Sequence, residues 1–257
     1  MSDWSEYEID SPELLERIRA VSAPLDAGVR EQLHRCLQHE YASPEIRQAA
    51  AERLAACGSD DDRRTLLNWL REHRDARTRT AVAAALASCP SEETVCALID
   101  ALADSVNTVR NLAERSLLGM LDLVREHGLD RLIALLEHPA PLTRSPAARL
   151  LGHVGDRRAL GPLLKILETD RQWLARMWAA AALGELGCPE AVPALAHALQ
   201  HDEKNRVRAA AVEAIGRLKP PDALQWLRIA MQDPDGSVKQ KAEEAAGRLH
   251  QGPFDDS

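Results

Sequence analysis

The chain has 257 residues, of which 45% are apolar, only 3% aromatic and 28% charged, with a formal net charge of −8. The apolar share is mostly Ala and Leu, which argues against sandwiches, barrels and doubly wound sheets, because strands draw on Val, Ile and aromatic residues. No run of about 18 apolar residues predicts a membrane span, and an acidic chain lacks the basic excess of a protein that grips nucleic acid by its phosphates.

The first ten residues, MSDWSEYEID, are acidic and polar, and are expected to form a flexible leader rather than a secretory signal peptide. Six acids precede the first base, Arg17, and residues 1–128 carry 23 acids against 15 bases, whereas 129–257 carry 17 of each. Residues 11–21, SPELLERIRAV, predict a capping helix, with Ser11 as N-cap and Pro12 in the first helical position. A single repeat domain is expected over 11–250, followed by a flexible tail over 251–257. Five scattered cysteines form neither a CxxC pair nor a disulfide framework, so a reducing cytoplasm is the expected location.

Within 11–250 the sequence repeats itself. LTRSPAARLLGHVG, LARMWAAAALGELG and RVRAAAVEAIGRLK, starting at Leu142, Leu174 and Arg206, align without gaps. Extending the frame gives a basic column at Arg47, Arg79, Arg110, Arg144, Arg176, Arg208 and Lys239. Six residues earlier stand Tyr41, His73, Asp104, His138, Asp170, Asp202 and Asp233. Three residues after the base come Ala50, Val82, Ala113, Ala147, Ala179, Ala211 and Ala242, and seven after come Leu54, Leu86, Leu117, Leu151, Leu183, Ile215 and Ala246. A period of this length marks a stacked array of supersecondary units. Each unit predicts two helices, the first ending at the acidic position and the second starting just before the base. Positions −1, +3, +7 and +10 from the base share one apolar face. Gly152, Gly184, Gly216 and Gly247 at +8 suit a tight helix crossing, and Pro90, Pro189, Pro220 and Pro221 punctuate the turns.

This pattern resembles HEAT repeats, specifically the short phycobilisome-lyase HEAT-like variety. The residues that carry the resemblance are Asp104 with Val109-Arg110, Asp202 with Val207-Arg208, Ala182-Leu183-Gly184, and kinking prolines Pro162 and Pro193 in first helices. It covers roughly residues 26–250. It implies an all-α, right-handed α-solenoid of about seven helix pairs behind the capping helix. It also implies a ladder between neighbouring repeats made by Asp104, Arg110, Asp170, Arg176, Asp202, Arg208, Asp233 and Lys239, with second helices lining a concave groove. Arg suits such a ladder through its planar, multi-donor head.

Chemistry is sparse. Cys57 and Cys89 share the +10 slot and read as core thiols. His197 and His201 are spaced i, i+4, which can serve a metal, but no HExxH glutamate accompanies them and they read as solvated helix-end side chains. HEAT-like deoxyhypusine hydroxylases hold di-iron through several His-Glu pairs, and this chain has only His39-Glu40, so a related oxidoreductase is disfavoured. So are HEAT-like DNA glycosylases, which use a basic concave face. No metal and no cofactor are expected, and nucleic acid is a disfavoured partner.

The positive lead is the face opposite the core, taken as offsets −2, +2, +5, +6 and +9 of the second helices. It would place Leu112, Leu142, Pro146, Leu150, Leu174 and Trp178 toward solvent, with Trp173 one turn earlier and Arg115, Arg149 and His153 as a frame. A contiguous apolar patch with a polar rim marks a binding site, and Trp and Arg are enriched in binding hot spots. The alternative is burial of Trp178 against the next repeat. The expected function is a non-enzymatic scaffold or adaptor that binds a protein or peptide partner. The family resemblance also suggests a subunit of a bilin lyase or a chromophore-handling chaperone, which would work as a heterodimer and would use Trp and Arg against a conjugated face and its propionates.

Overall fold

The protein is described by a computed structural model over residues 9–250. Residues 1–8 of the expected leader and the expected tail 251–257 lie outside the described residues. All regular structure among the described residues is helical, and no helix among them is long and apolar enough to cross a membrane. The fold is an α-solenoid, organised as two compact units that meet in sequence at Gly128 and Leu129.

Unit 1 contains α1 (Pro12–Arg19), α2 (Ala27–Gln38), α3 (Pro44–Cys57), α4 (Asp60–Glu72), α5 (Ala76–Ala85), α6 (Glu92–Ala101), α7 (Asn107–Leu118) and a short α8 (Leu121–Leu123) that runs into a π turn over Val124–Gly128. Its first six helices are each started by a side chain. Ser11, Asp26, Ser43, Ser59, Asp75 and Ser91 accept N–H groups that the first turn would otherwise leave unpaired. The expected capping helix is α1, with Ser11 accepting from Leu14 N at 3.2 Å.

Unit 2 contains α9 (Leu129–Leu135), α10 (Pro141–Val154), α11 (Leu160–Thr169), α12 (Trp173–Leu186), α13 (Val192–His201), α14 (Asn205–Leu218), α15 (Ala223–Ala230) and α16 (Gly236–His250). Its helices start differently. Pro162 and Pro193 do not kink first helices: they stand in the first turns of α11 and α13, directly after 3-10 turns at Arg157–Ala159 and Pro189–Ala191. That is where a residue without an N–H is tolerated. Helices α10, α12 and α14 end on left-handed residues, Gly155 (φ 69°), Gly187 (φ 71°) and Lys219 (φ 48°). The two glycines adopt this conformation without Cβ strain.

The apolar columns form the core of both units. Leu54, Leu86, Leu117, Leu151, Leu183 and Ile215 are fully buried between the two helices of each pair, and so are the small residues from Ala50 to Ala242 at +3. In unit 2 the glycine column sets how close successive second helices come. A Cβ on Gly152 would lie 2.7 Å from Ala182 Cα, one on Gly184 2.7 Å from Ala214 Cα, and one on Gly216 2.8 Å from Ala245 Cβ. Gly247, in the same register, has nothing within 4 Å.

Candidate binding face

The basic column first performs a structural task. Arg144 Nε and Nη2 donate to the two carboxylate oxygens of Asp170 at 2.6 and 2.8 Å, Arg176 to Asp202 at 2.7 and 3.0 Å, and Arg208 to Asp233 at 2.7 and 2.8 Å. In unit 1, Arg79 grips Asp104 in the same way at 2.7 and 3.0 Å. Each arginine also donates Nη1 to the carbonyl six residues before it, as Arg110 does to Asp104 O at 2.6 Å. One guanidinium therefore fastens its own inter-helix turn and the next repeat together. The carboxylates serve twice, because Asp170, Asp202 and Asp233 also accept from the backbone N–H two residues on. Lys239, at the end of the column, is exposed.

The charges of the ladder are mutually stabilised. Burial pushes Asp104 and Asp170 up, but the hydrogen bonds of Arg79 and Arg144, the backbone N–H groups of Val106 and Gln172 and the nearby arginine charges together outweigh it and hold both below the usual carboxylate range. For Asp233 the Arg208 hydrogen bonds dominate outright. Arg47 departs from the pattern. It is 1% exposed and donates to the carbonyls of Leu37, His39, Glu40 and Ala42, with Asp75 3.4 Å away. The next repeat presents His73 where Arg79, Arg144, Arg176 and Arg208 each find an aspartate, and backbone carbonyls with Asp75 take that place.

The second helices of unit 2 carry most of the expected binding residues. Leu142 on α10 is 54% exposed, and Pro146, Arg149, Trp173, Leu174 and Trp178 are half-buried. The Arg149 guanidinium lies 4.9 Å from the Trp178 ring centroid, bridging α10 and α12, and Arg206 lies 5.5 Å from the Trp173 ring, bridging α14 and α12. Each indole is thus capped by a cation–π contact and keeps part of its surface open. Pro146 sits inside α10, so it offers no N–H to the Leu142 carbonyl four residues earlier.

Leu150 does not belong to this face: it is fully buried. The reason is angular. At about 100° per residue, offset +6 lies only about 20° from the core position −1, and Ala182, Ala214 and Ala245 at the same offset are buried against the glycine of the preceding second helix. Leu112 and Arg115 belong to α7 in unit 1 and are not among the residues that unit 2 brings together. Arg115 is exposed, and Leu112 lines an apolar depression of about 290 Å³ with Pro44, Ala76, Thr80, Ala84 and Val106.

Two features escaped the sequence reading. The first is a chain of ion pairs across the C-terminal halves of the second helices: His153 Nδ1 to Glu185 at 3.0 Å, Arg217 to Glu185 and to Glu213 at 3.2 Å each, and Lys241 to Glu213 at 3.9 Å. Its signal was the +9 column, where an imidazole, a carboxylate and a guanidinium follow one another at His153, Glu185 and Arg217. The second is Asp62 in unit 1, 3% exposed. It completes a capping box with Ser59, accepts from His34 at 3.1 Å and lies 2.9 Å from Arg30 Nε, an ion pair without hydrogen-bond alignment. His34 in turn meets Trp69 edge-on at 5.3 Å. Burial pushes Asp62 up, but the Ser59 donors, His34 and Arg30 outweigh it and hold the carboxyl down.

The His197 and His201 rings lie 4.7 Å apart and both residues are exposed. Among the described residues no group of three or more His, Cys, Asp or Glu is arranged to hold a metal. Burial raises the Cys36 thiol to about 11 and also raises Cys89.

Several solved structures share this architecture. The structure in which Kap95p binding induces the switch loops of RanGDP to adopt the GTP-bound conformation matches at a TM-score of 0.63 with 14% identity, over 90% of this chain and 37% of that one. The complex of CpcE and CpcF of phycocyanin lyase from Nostoc matches at 0.52 with 25% identity, over 71% of this chain and 74% of that one. Human deoxyhypusine hydroxylase matches at 0.42 with 22% identity, over 95% and 92%. No curated protein matches the sequence. A family model for HEAT repeats matches residues 32–118, 123–183 and 160–247, and the chain belongs to the HEAT-repeat family.

Proposed function

We propose that this protein is a non-enzymatic scaffold that captures a protein partner on the second-helix face of unit 2. The observation that supports this reading is the pair of half-open indoles, Trp173 and Trp178, each held by an arginine, beside the exposed Leu142. Trp and Arg in such a setting are the residues that carry binding energy when a partner excludes water. Trp178→Ala removes one anchor from the surface while leaving the buried columns intact. Copurification followed by mass spectrometry should lose the partner with this variant while the helical circular dichroism is unchanged. Undiminished capture by a folded Trp178→Ala protein would sink the proposal.

A second reading, a subunit of a bilin lyase or a chromophore-handling chaperone, rests on the likeness to the CpcE and CpcF complex at 25% identity. The same Trp and Arg groups suit a conjugated, doubly carboxylated ligand. A new visible absorption band on mixing with a linear tetrapyrrole would support it, and an unchanged spectrum would remove it.

A further inference from the structure

The scaffold reading, on which this inference rests, leaves the partner's chemistry open, and an imbalance of charge on the binding face supplies it. The first eight residues of the three neighbouring second helices, 141–148, 173–180 and 205–212, contain Arg144, Arg176, Arg206 and Arg208 and not one carboxylate. Arg144, Arg176 and Arg208 are committed to the ladder, each holding its aspartate with two donors. Further along the same helices the charges are balanced, because Glu185 and Glu213 are shared among His153, Arg217 and Lys241. The carboxylates of the adjoining turns are engaged locally: Glu203 lies 4.0 Å from Arg176 and 3.9 Å from Lys204, and Asp235 accepts from Asn205 and Ser237. The positive end of the face therefore coincides with its apolar end. The exposed Arg206, with its Cζ 5.5 Å from the centroid of the Trp173 ring, has further N–H donors with which to receive a carboxylate.

The backbone adds a second element of recognition. Pro146 removes the i+4 donor from the Leu142 carbonyl, on the stretch of α10 where the Leu142 side chain is 54% exposed. A backbone oxygen without its helical donor, next to an open leucine, matches the N–H and side chain of one residue in an extended segment. Neighbouring helices pack about 8–10 Å apart, so α10 and α14 are separated by roughly 18 Å, which an extended chain rising about 3.3 Å per residue crosses in five or six residues.

We propose that the occupant of this face is an extended, acidic segment of a partner protein. An apolar residue of that segment rests on Leu142 and Trp178 and gives its backbone N–H to the Leu142 carbonyl, and a carboxylate about five or six residues away is received by Arg206. Selection from a phage-displayed library of random peptides about twelve residues long tests this directly. The enriched sequences should pair an apolar residue with Asp or Glu at that spacing. The selected peptides, labelled and followed by fluorescence anisotropy, should bind at least about tenfold more weakly to Arg206→Glu, a substitution at an exposed position, and weaken as salt rises.

Pro146→Ala should weaken them too while making the protein more stable, since it restores the helical N–H. Enriched peptides that depend on Trp178 but lack acids, or that ignore Arg206→Glu, would overturn the proposal and leave the scaffold reading standing. Failure to enrich any peptide, or capture of a linear tetrapyrrole through the same residues, would also overturn it. The scaffold reading itself is judged separately by the copurification with Trp178→Ala.

Discussion

Units 1 and 2 are built from the same helix pair and differ in how their second helices meet and where their helices begin. In unit 2, glycine at +8 lets Gly152, Gly184 and Gly216 press against Ala182, Ala214 and Ala245. In unit 1 the same register holds Ala55, Ala87 and Leu118, and an apolar depression of about 290 Å³ lies between α3, α5 and α7. Unit 1 starts nearly every helix with its own Ser or Asp cap, while α10, α12 and α14 have no side-chain cap at the N-cap position and α12 and α14 lean on ladder aspartates two residues before it. The comparison separates two ways of stabilising one repeat. Local capping makes each helix self-sufficient, whereas the ladder and the glycine column place the stability in contacts between neighbours. The second arrangement forms a close-packed floor on which two tryptophans can be carried half-exposed.

Five substitutions bear on that contrast. The largest effect is expected from Asp202→Ala, which strands the 12%-exposed Arg176 guanidinium and should cost about 3 kcal/mol of unfolding free energy in a denaturant titration. Glu190→Ala breaks the exposed pair with Arg157, 70% and 52% accessible, and should change stability by less than about 1 kcal/mol. Equal losses at the two sites would show that the ladder does not hold the repeats together.

Gly184→Ala comes next. Its Cβ would lie 2.7 Å from Ala214 Cα, and overpacking of this kind costs about 1–3 kcal/mol. Gly247→Ala, in the same register with nothing within 4 Å, should instead stabilise by about 0.5–1 kcal/mol through helix propensity. The same sign at both positions would mean that helix approach does not depend on the glycine column.

Unit 1 should respond to its caps. Ser59→Ala removes the hydroxyl of the capping box and should cost about 1 kcal/mol. It should also flatten the acid limb of the stability profile. The folded Asp62 carboxyl is held below its usual range, so its contribution is complete above the unfolded value of about 3.9 and disappears as the pH falls through the lower folded value. Asp104, Asp170 and Asp233 share this sign. Thermal unfolding monitored between about pH 5 and pH 2 should therefore show stability falling below about pH 4, and a profile that is flat there would contradict the assignment.

The sequence by itself determined the repeat period, the seven helix pairs and the Leu and Ala columns of the core. These features are legible because each repeat touches mainly its neighbours, so spacing along the chain maps directly onto contact in space. The tertiary structure alone decided the flanks of the second helices, the columns about 60° or more from the core direction. Whether such a column is wet or covered depends on how near the next helix lies, and that distance is set by residues on a different repeat. Leu150 is fully buried, in the column whose counterparts Ala182, Ala214 and Ala245 pack on the preceding second helix, and Arg206 meets Trp173 across the α12–α14 contact. Asp62 gathers Ser59, His34 and Arg30 through the packing of α4 on α2. The acidic excess at the start of the chain was plain arithmetic. The local basic excess on the binding face emerged only once the ladder and the +9 ion pairs had claimed their own charges.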